Sequence, residues 1–365
     1  MYPFFSGLKV LELSSVLAGP AVGMFFAELG AQVTKVENGR GGGDLTRHWK
    51  LPVEDRDGPA SAYYHSVNWN KEIIFLDFSR DDDKHTVHAL LASADIVLVN
   101  FKKGDAEKFG LGSGRLRELY PALIIGEITG FRDEADRVAY DAVLQAESGI
   151  MALNGDASTG PLKLPVAFID LFAAHQLKEG LLLALLQREK TGMGALVNVS
   201  LYGAAIASLA NQAGAWLNTG VEPRASGSLH PTIAPYGEIF SCSDGESLLL
   251  AVGTDKQFAS LCACLSLDQL AADERFATNP QRVVHRAELY KHLLPVFKMA
   301  SADAWLKKLI AAYVPAGRVR TISQVFETHQ AEGMVLQQEE PDGTISYRVS
   351  GNAFELYLNE NYTLL

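Results

Sequence analysis

Short apolar runs alternate with segments of helical spacing through the first half of the chain. Leu8 to Leu13 (LKVLEL) reads as a strand, Pro20 to Leu29 as a helix with Pro at its first position, and Gln32 to Val36 as a second strand. Together they form a βαβ unit. Ile73 to Leu76, Asp95 to Asn100 (DIVLVN) and Leu123 to Ile128 (LIIGEI) add short strands whose nearly continuous apolar character fits burial on both faces. Helical segments such as His85 to Ala94 and Gly114 to Tyr120 separate them. The alternation predicts an α/β fold with a parallel, doubly wound sheet.

Further along, a long helix is predicted from Leu171 to Arg188, with Asp170 as its candidate N-cap and Lys190-Thr191-Gly192 as its stop. Ala195 to Leu201 reads as another strand. Tyr202 to Leu217 has helical character but almost no charge, which suggests burial against another helix or subunit. After Asn218-Thr219-Gly220 the pattern changes: a loop rich in Gly, Pro, Ser and Arg leads into a hairpin signal, Ile239 to Ser241 and Leu248 to Val252 around Ser243-Asp244-Gly245. Helical patterns at Lys256 to Leu265, Ala287 to Met299 and Ala302 to Ala312 follow. Residues 221–315 therefore read as a small α+β domain, and 1–220 as a large one.

Composition narrows the function. With 365 residues, 48% of them hydrophobic and 21% charged, the chain has material for more than one ordinary core. Its net charge of −11, without any basic run, argues against nucleic acid as a partner, and an anionic ligand would need local cations or helix N-termini. The three cysteines, Cys242, Cys262 and Cys264, have neither zinc-pair nor bridge spacing and fit reduced thiols in the cytoplasm. The opening Met1-Tyr2-Pro3-Phe4-Phe5 lacks a basic stretch before an apolar one, and the apolar run Gly180 to Leu186 is too short for a membrane span.

Several segments could carry chemistry. The turn from Ser14 to Gly23 follows the first strand, but it lacks the G-x-G-x-x-G spacing of a dinucleotide site and leaves only a helix N-terminus facing some ligand. Asn38 to Asp44 contains Gly41-Gly42-Gly43, either a close backbone approach to a ligand with Arg40 beside it or a flexible surface loop. Asp170 is either a plain N-cap or a reactive carboxylate where open α/β sheets bind ligands. The nine histidines form no metal-ligand pattern, and neither a serine-hydrolase elbow nor a P-loop occurs.

Read together, these segments resemble the class III CoA-transferase (CaiB/BaiF) family, which includes formyl-CoA transferase, carnitine CoA-transferase and α-methylacyl-CoA racemase. The similarity rests on Gly7 to Leu13 with Val16 to Pro20, Leu29 to Glu37 with Gly43-Asp44 and Arg47, Asn70-Lys71 with Leu76-Asp77, and Asp95 to Phe101. It continues through Tyr140-Asp141 with Gln145-Ala146 and Ser148-Gly149, Val166 to Phe172, Lys190 to Gly192, His230-Pro231 with Ala234 to Tyr236, and Val314 to Gly317. Nine pieces in order form a specific signal.

The resemblance implies a Rossmann-like large domain built from both ends of the chain, with 316–365 returning to it, and an interlocked homodimer. It implies CoA and acyl-CoA as substrates, a small carboxylic acid as second partner, and neither a metal nor a permanently bound cofactor. It makes Asp170 the nucleophile that carries CoA as an aspartyl thioester. CoA contacts map onto Val16, Leu17, Ala18, Leu76, Phe78, Asn100, Phe101 and Lys108, with Arg40 and Arg137 near positions that carry basic residues. Tyr140 and Asp141 also belong to the CoA-binding positions the resemblance implies. Racemases of the family place His where this chain has Tyr140, and an unperturbed Tyr, with pKa about 10, is a poor base near neutral pH. That favours transferase over racemase, with a non-catalytic CoA or acyl-CoA binder as a further alternative. Leu17 stands where some transferases have Gln, the Gly-rich gating loop of formyl-CoA transferase has no counterpart between Gly220 and Leu250, and the family's usual closing segment is missing before Leu365, which points toward the non-catalytic alternative.

Overall fold

A computed structural model describes residues 3–102, 104–132 and 137–356; the last residues before Leu365, on which the reading of the closing segment falls, lie outside the described residues. The described chain divides into two compact units, one taking residues up to 151, 163–223 and from 332 on, the other 152–162 and 224–331.

The first unit is built on six parallel strands: β1 (Lys9–Leu13), β2 (Gln32–Asn38), β3 (Glu72–Leu76), β4 (Ile96–Val99), β5 (Ile124–Thr129) and β6 (Leu196–Ser200). Their order is β3-β2-β1-β4-β5-β6, so the chain winds outward in one direction from β1 and in the other from β4. Ligands in such sheets bind beyond the carboxyl ends of the strands at that reversal. Here it falls between the segment after β1, starting at Ser14, and the segment after β4, starting at Asn100.

Side-chain alternation explains why these strands read as continuous apolar runs. Along β4, Ile96 and Leu98 enter one core while Val97 and Val99 enter the other. The first core is closed by α1 (Ala18–Glu28) with Val22, Phe25 and Phe26, and by α5 (Phe168–Thr191) with Ile169, Ala173, Leu177 and Leu181. The second is closed by α2 (Asp81–Ser93) with Val87 and Leu91, and by α3 (Ser113–Leu119) with Leu116. Between α3 and α5 lies α4 (Asp141–Glu147). A hairpin of Val335–Glu339 and Ile345–Val349 also belongs to this unit.

Three boundaries differ from the sequence pattern. The first helix starts at Ala18, so Pro20 is its third residue, still within the turn whose N–H groups lack helical partners. The uncharged run after β6 is two helices, α6 (Leu201–Ser208) and α7 (Ala210–Thr219), because Ala210 takes a left-handed φ of 39°. Ala167, not Asp170, occupies the cap position of α5; the helix begins at Phe168 and Asp170 is its third residue.

The second unit packs three antiparallel strands, Tyr236–Ser241, Ser247–Ala251 and Ala316–Arg318, against helices Asp255–Cys264, Arg286–Phe297 and Ala302–Ala311. Phe240, Leu250, Phe258, Phe297 and Trp305 form its core. No helix among the described residues is long and apolar enough to cross a membrane.

Candidate active site

Crossover helices run antiparallel to the strands they join, so α1 and α5 both start at the carboxyl edge of the sheet. At the start of α5 sits Asp170, 9% exposed. Burial, and then the negative charge of Asp141, push its carboxyl up to about 7. A helix N-terminus would be expected to lend Asp170 its free N–H groups, but those groups are already taken. Asp141, at the start of α4, accepts from the Ile169 N–H at 2.8 Å and from the Asp170 N–H at 3.4 Å through Oδ2. Its Oδ1 accepts from Gln145 Nε2 at 2.5 Å, and Gln145 Oε1 in turn accepts from the Leu164 N–H at 2.7 Å. The cap of α5 therefore comes from another helix, and both Asp141 oxygens are engaged inside the protein.

Tyr63 completes this cluster. Burial and the carboxylates of Asp170, Asp141 and Asp44 push its hydroxyl up to about 12, so it stays a neutral hydrogen-bond donor. Its ring meets Trp49 edge to face at 5.1 Å. Nothing in the local sequence marked Tyr63, because the segment between Ser61 and His65 is a single helical turn whose neighbours are all distant in sequence.

The turn after β1 is shaped by side chains from three other segments. Asn100, one residue past β4, accepts from the Ser15 N–H at 3.0 Å and donates to the Ser15 carbonyl at 2.9 Å. Asp44 accepts from the Val16 N–H at 3.1 and 3.3 Å. Val16 itself has a φ of 74°, a genuine outlier for a β-branched residue. Beneath it lies a chain of buried charges: Lys35 Nζ meets Asp44 at 3.0 Å, Glu12 at 2.9 Å and the Ser14 carbonyl at 2.7 Å, and Lys71 Nζ meets Glu12 at 2.8 Å and the Pro20 carbonyl at 2.9 Å. Burial lowers the Lys71 ammonium to about 8 against the pull of Glu12. Leu17 and Ala18 are buried at the start of α1. Gly19 serves packing rather than phosphate approach, since a Cβ there would stand 2.3 Å from Ser14 Oγ.

Of the remaining sequence-picked residues, Leu76, Phe78, Phe101 and Lys108 gather beyond the ends of β3 and β4, whereas Arg40, Arg137 and Tyr140 lie elsewhere. Leu76 closes β3, and Phe78 and Phe101 stand 6.2 Å apart with Phe109 packed on both, at 5.2 and 6.1 Å. Lys108 Nζ lies 5.8 Å from the Phe109 ring centroid. Arg40 is mostly exposed and pairs with Asp77 at 3.1 Å. Arg137 is held against Glu147 and stacks at 4.4 Å over Phe131. Tyr140 is half exposed and precedes α4. A cavity of about 920 Å³ lies instead at the amino ends of the strands, lined by Lys9, Gln32, Asn70 and Gln338 among others. Asp170 and the strained turn lie at the opposite edge of the sheet.

Residues 5–361 match CoA-transferase family III. The succinate–glutarate CoA-transferase of Agrobacterium fabrum is 38% identical over 94% of this chain and 87% of its own length. The succinyl-CoA:glutarate CoA-transferase of Homo sapiens is 33% identical over 92% of this chain and 76% of its own length. A CaiB/BaiF family protein from Brucella suis has a TM-score of 0.85 at 38% identity, covering 97% of this chain and 93% of that one.

Proposed function

The chain belongs to CoA-transferase family III and is a CoA-transferase, and we propose that it works through a covalent intermediate on Asp170. The Asp170 carboxylate attacks the acyl-CoA thioester carbonyl, forming a mixed anhydride and releasing CoA thiolate. The thiolate attacks the aspartyl carbonyl of the anhydride, which gives an aspartyl-CoA thioester and frees the first acid. The incoming carboxylate attacks that thioester and the released thiolate attacks the new acyl carbonyl, leaving a new acyl-CoA and the original Asp170. No proton or electron is consumed overall.

The observation that carries this reading is a buried carboxylate whose burial no positive charge among the described residues offsets. Such a group is a stronger nucleophile when ionised than a solvated or ion-paired one, because neither water nor a cation must be stripped from it. With its pKa near 7, a large fraction is ionised at neutral pH. CoA then lies along the carboxyl edge, its chain passing Val16 to Ala18 and Asn100, with Leu76, Phe78 and Phe101 beside it and Arg40 and Lys108 supplying positive charge. Tyr140 and Asp141 face the acyl side; Arg137 stays with Glu147.

The active form is an interlocked homodimer in the cytoplasm. Exposed apolar side chains on α5, α6 and α7, namely Leu183, Leu186, Ile206, Trp216 and Leu217, supply the face that a second copy covers. The free thiols of Cys242, Cys262 and Cys264 suit a reducing compartment. The relatives named for succinate and glutarate make dicarboxylic acids the first acids to test. Succinyl-CoA with glutarate should give glutaryl-CoA and succinate, and oxalate should be a poor acceptor, as the apolar Leu17 suggests. Asp170→Asn should lower transfer by more than about 1,000-fold, since the covalent route is lost. Full activity in that variant would overturn the assignment.

A further inference from the structure

We infer that Asp44 is a positioning residue which holds the turn after β1 in its strained, ligand-ready shape before CoA arrives. The inference rests on the proposed placement of CoA along that turn. Asp44 is 3% exposed, yet its carboxylate is fully used: it accepts from the Val16 N–H through both oxygens, from the Thr46 N–H at 3.0 Å and hydroxyl at 2.8 Å, and pairs with Lys35. The one backbone group it holds outside its own segment belongs to the residue whose φ is 74°.

A valine in the left-handed region relaxes unless its surroundings over-determine it, and residues held in this way cluster at ligand clamps. Relaxation would swing the Val16 N–H away and carry Leu17 and Ala18 with it. The turn is also gripped immediately before this residue, at Ser15 by Asn100 and at the Ser14 carbonyl by Lys35, so the Asp44 bond extends the anchored stretch to Val16 itself.

The glycine-rich stretch is what brings Asp44 there. Gly42 and Gly43 take φ values of 76° and 95°, and a Cβ on Gly43 would stand 2.3 Å from Glu37 Oε2. The chain can thus fold tightly over Glu37, which accepts from the Asp44 N–H at 2.8 Å and is itself held by Arg47 and Tyr64. Gly42 and Gly43 let the chain turn back so that Asp44 lies beneath the turn after β1.

The test compares wild type, Asp44→Asn, and Asp44→Asn combined with Val16→Gly. Asp44→Asn should raise KM for acyl-CoA about tenfold, with kcat changing less than about threefold, because the turn must be reordered on binding. Adding Val16→Gly should recover most of that increase, since glycine adopts a positive φ without strain. A merely destabilised fold would not be repaired by a second, more flexible residue. An unchanged KM in Asp44→Asn, or a further rise on adding Val16→Gly, would overturn the inference.

Hydrogen exchange of the Val16 amide reads the same clamp without substrate. Exchange should be slow in wild type and at least about tenfold faster in Asp44→Asn. Equal protection would sink the clamp even if CoA were bound and transferred normally. If wild type neither bound CoA nor transferred it while Val16 protection still fell in the variant, the placement of CoA would be wrong and the clamp would stand. Should Asp44→Asn fail to fold, Thr46→Val removes one hydroxyl bond to Asp44 and should raise KM and Val16 exchange in the same direction. No change in either would count against the clamp.

Discussion

Asp44 and Asp170 are both buried carboxylates on the same edge of one sheet, and their surroundings drive them in opposite directions. At Asp44, burial favours protonation but is outweighed by Lys35 and by bonds from Thr46, so the carboxyl stays below its usual range and ionised. At Asp170, burial is joined by the negative charge of Asp141, and the carboxyl rises to about 7. One site has its polar groups satisfied and holds backbone in place. The other is raised by burial and a neighbouring carboxylate, which is what supports its proposed role as nucleophile.

Changing each to asparagine should separate the two sites. Asp44→Asn leaves Lys35 facing a lost charge and should cost roughly 3–5 kcal/mol at neutral pH. Asp170→Asn should stabilise the protein by roughly 2–4 kcal/mol at pH 8, because one pKa unit corresponds to about 1.4 kcal/mol. The pH course follows from the signs. Asp44, with its folded pKa depressed, contributes stability above its unfolded pKa and loses it as pH falls through the folded value. For Asp170, with its folded pKa raised, stability is fully present below about 4 and is lost as pH rises to about 7. The advantage of Asp170→Asn should therefore grow between these pH values and level off above, as chemical denaturation at several pH values would show. Two losses of similar size would erase the contrast.

A smaller effect sharpens it further. The rate of the first half-reaction should rise with pH around 7 and then plateau, following ionisation of Asp170. Asp141→Asn removes the second cause of the raised pKa while an amide oxygen can still cap α5, so the midpoint should move to lower pH. A midpoint that stayed in place would assign the shift to burial alone.

Much of the scaffold was legible in the sequence. β4 and β5 read as near-continuous apolar runs, a pattern that signals a parallel sheet covered by helices, and the helix read at Lys256 to Leu265 spans Asp255–Cys264, starting on a Thr254–Gln257 capping box. Asp170 stood out as a possible N-cap, but which residue caps α5 was not readable, because Asp141 lies 29 positions away from Asp170. The break at Ala210 was hidden for a related reason: alanine is the strongest helix former and gives no local sign of a left-handed residue. The glycines at 41–43 were visible but their purpose was not, since the groups they fold around, Glu37 and Val16, come together only in the tertiary structure. Tyr63 was invisible for the same reason.

Intact-protein mass spectrometry on the enzyme incubated with succinyl-CoA, with hydroxylamine to trap an activated carboxylate, tests the covalent route most directly. Covalent carriage predicts a CoA-sized adduct in wild type, a hydroxamate that maps to Asp170 after trapping, and neither in Asp170→Asn. Transfer to glutarate without any adduct, or a hydroxamate on another residue, would contradict it.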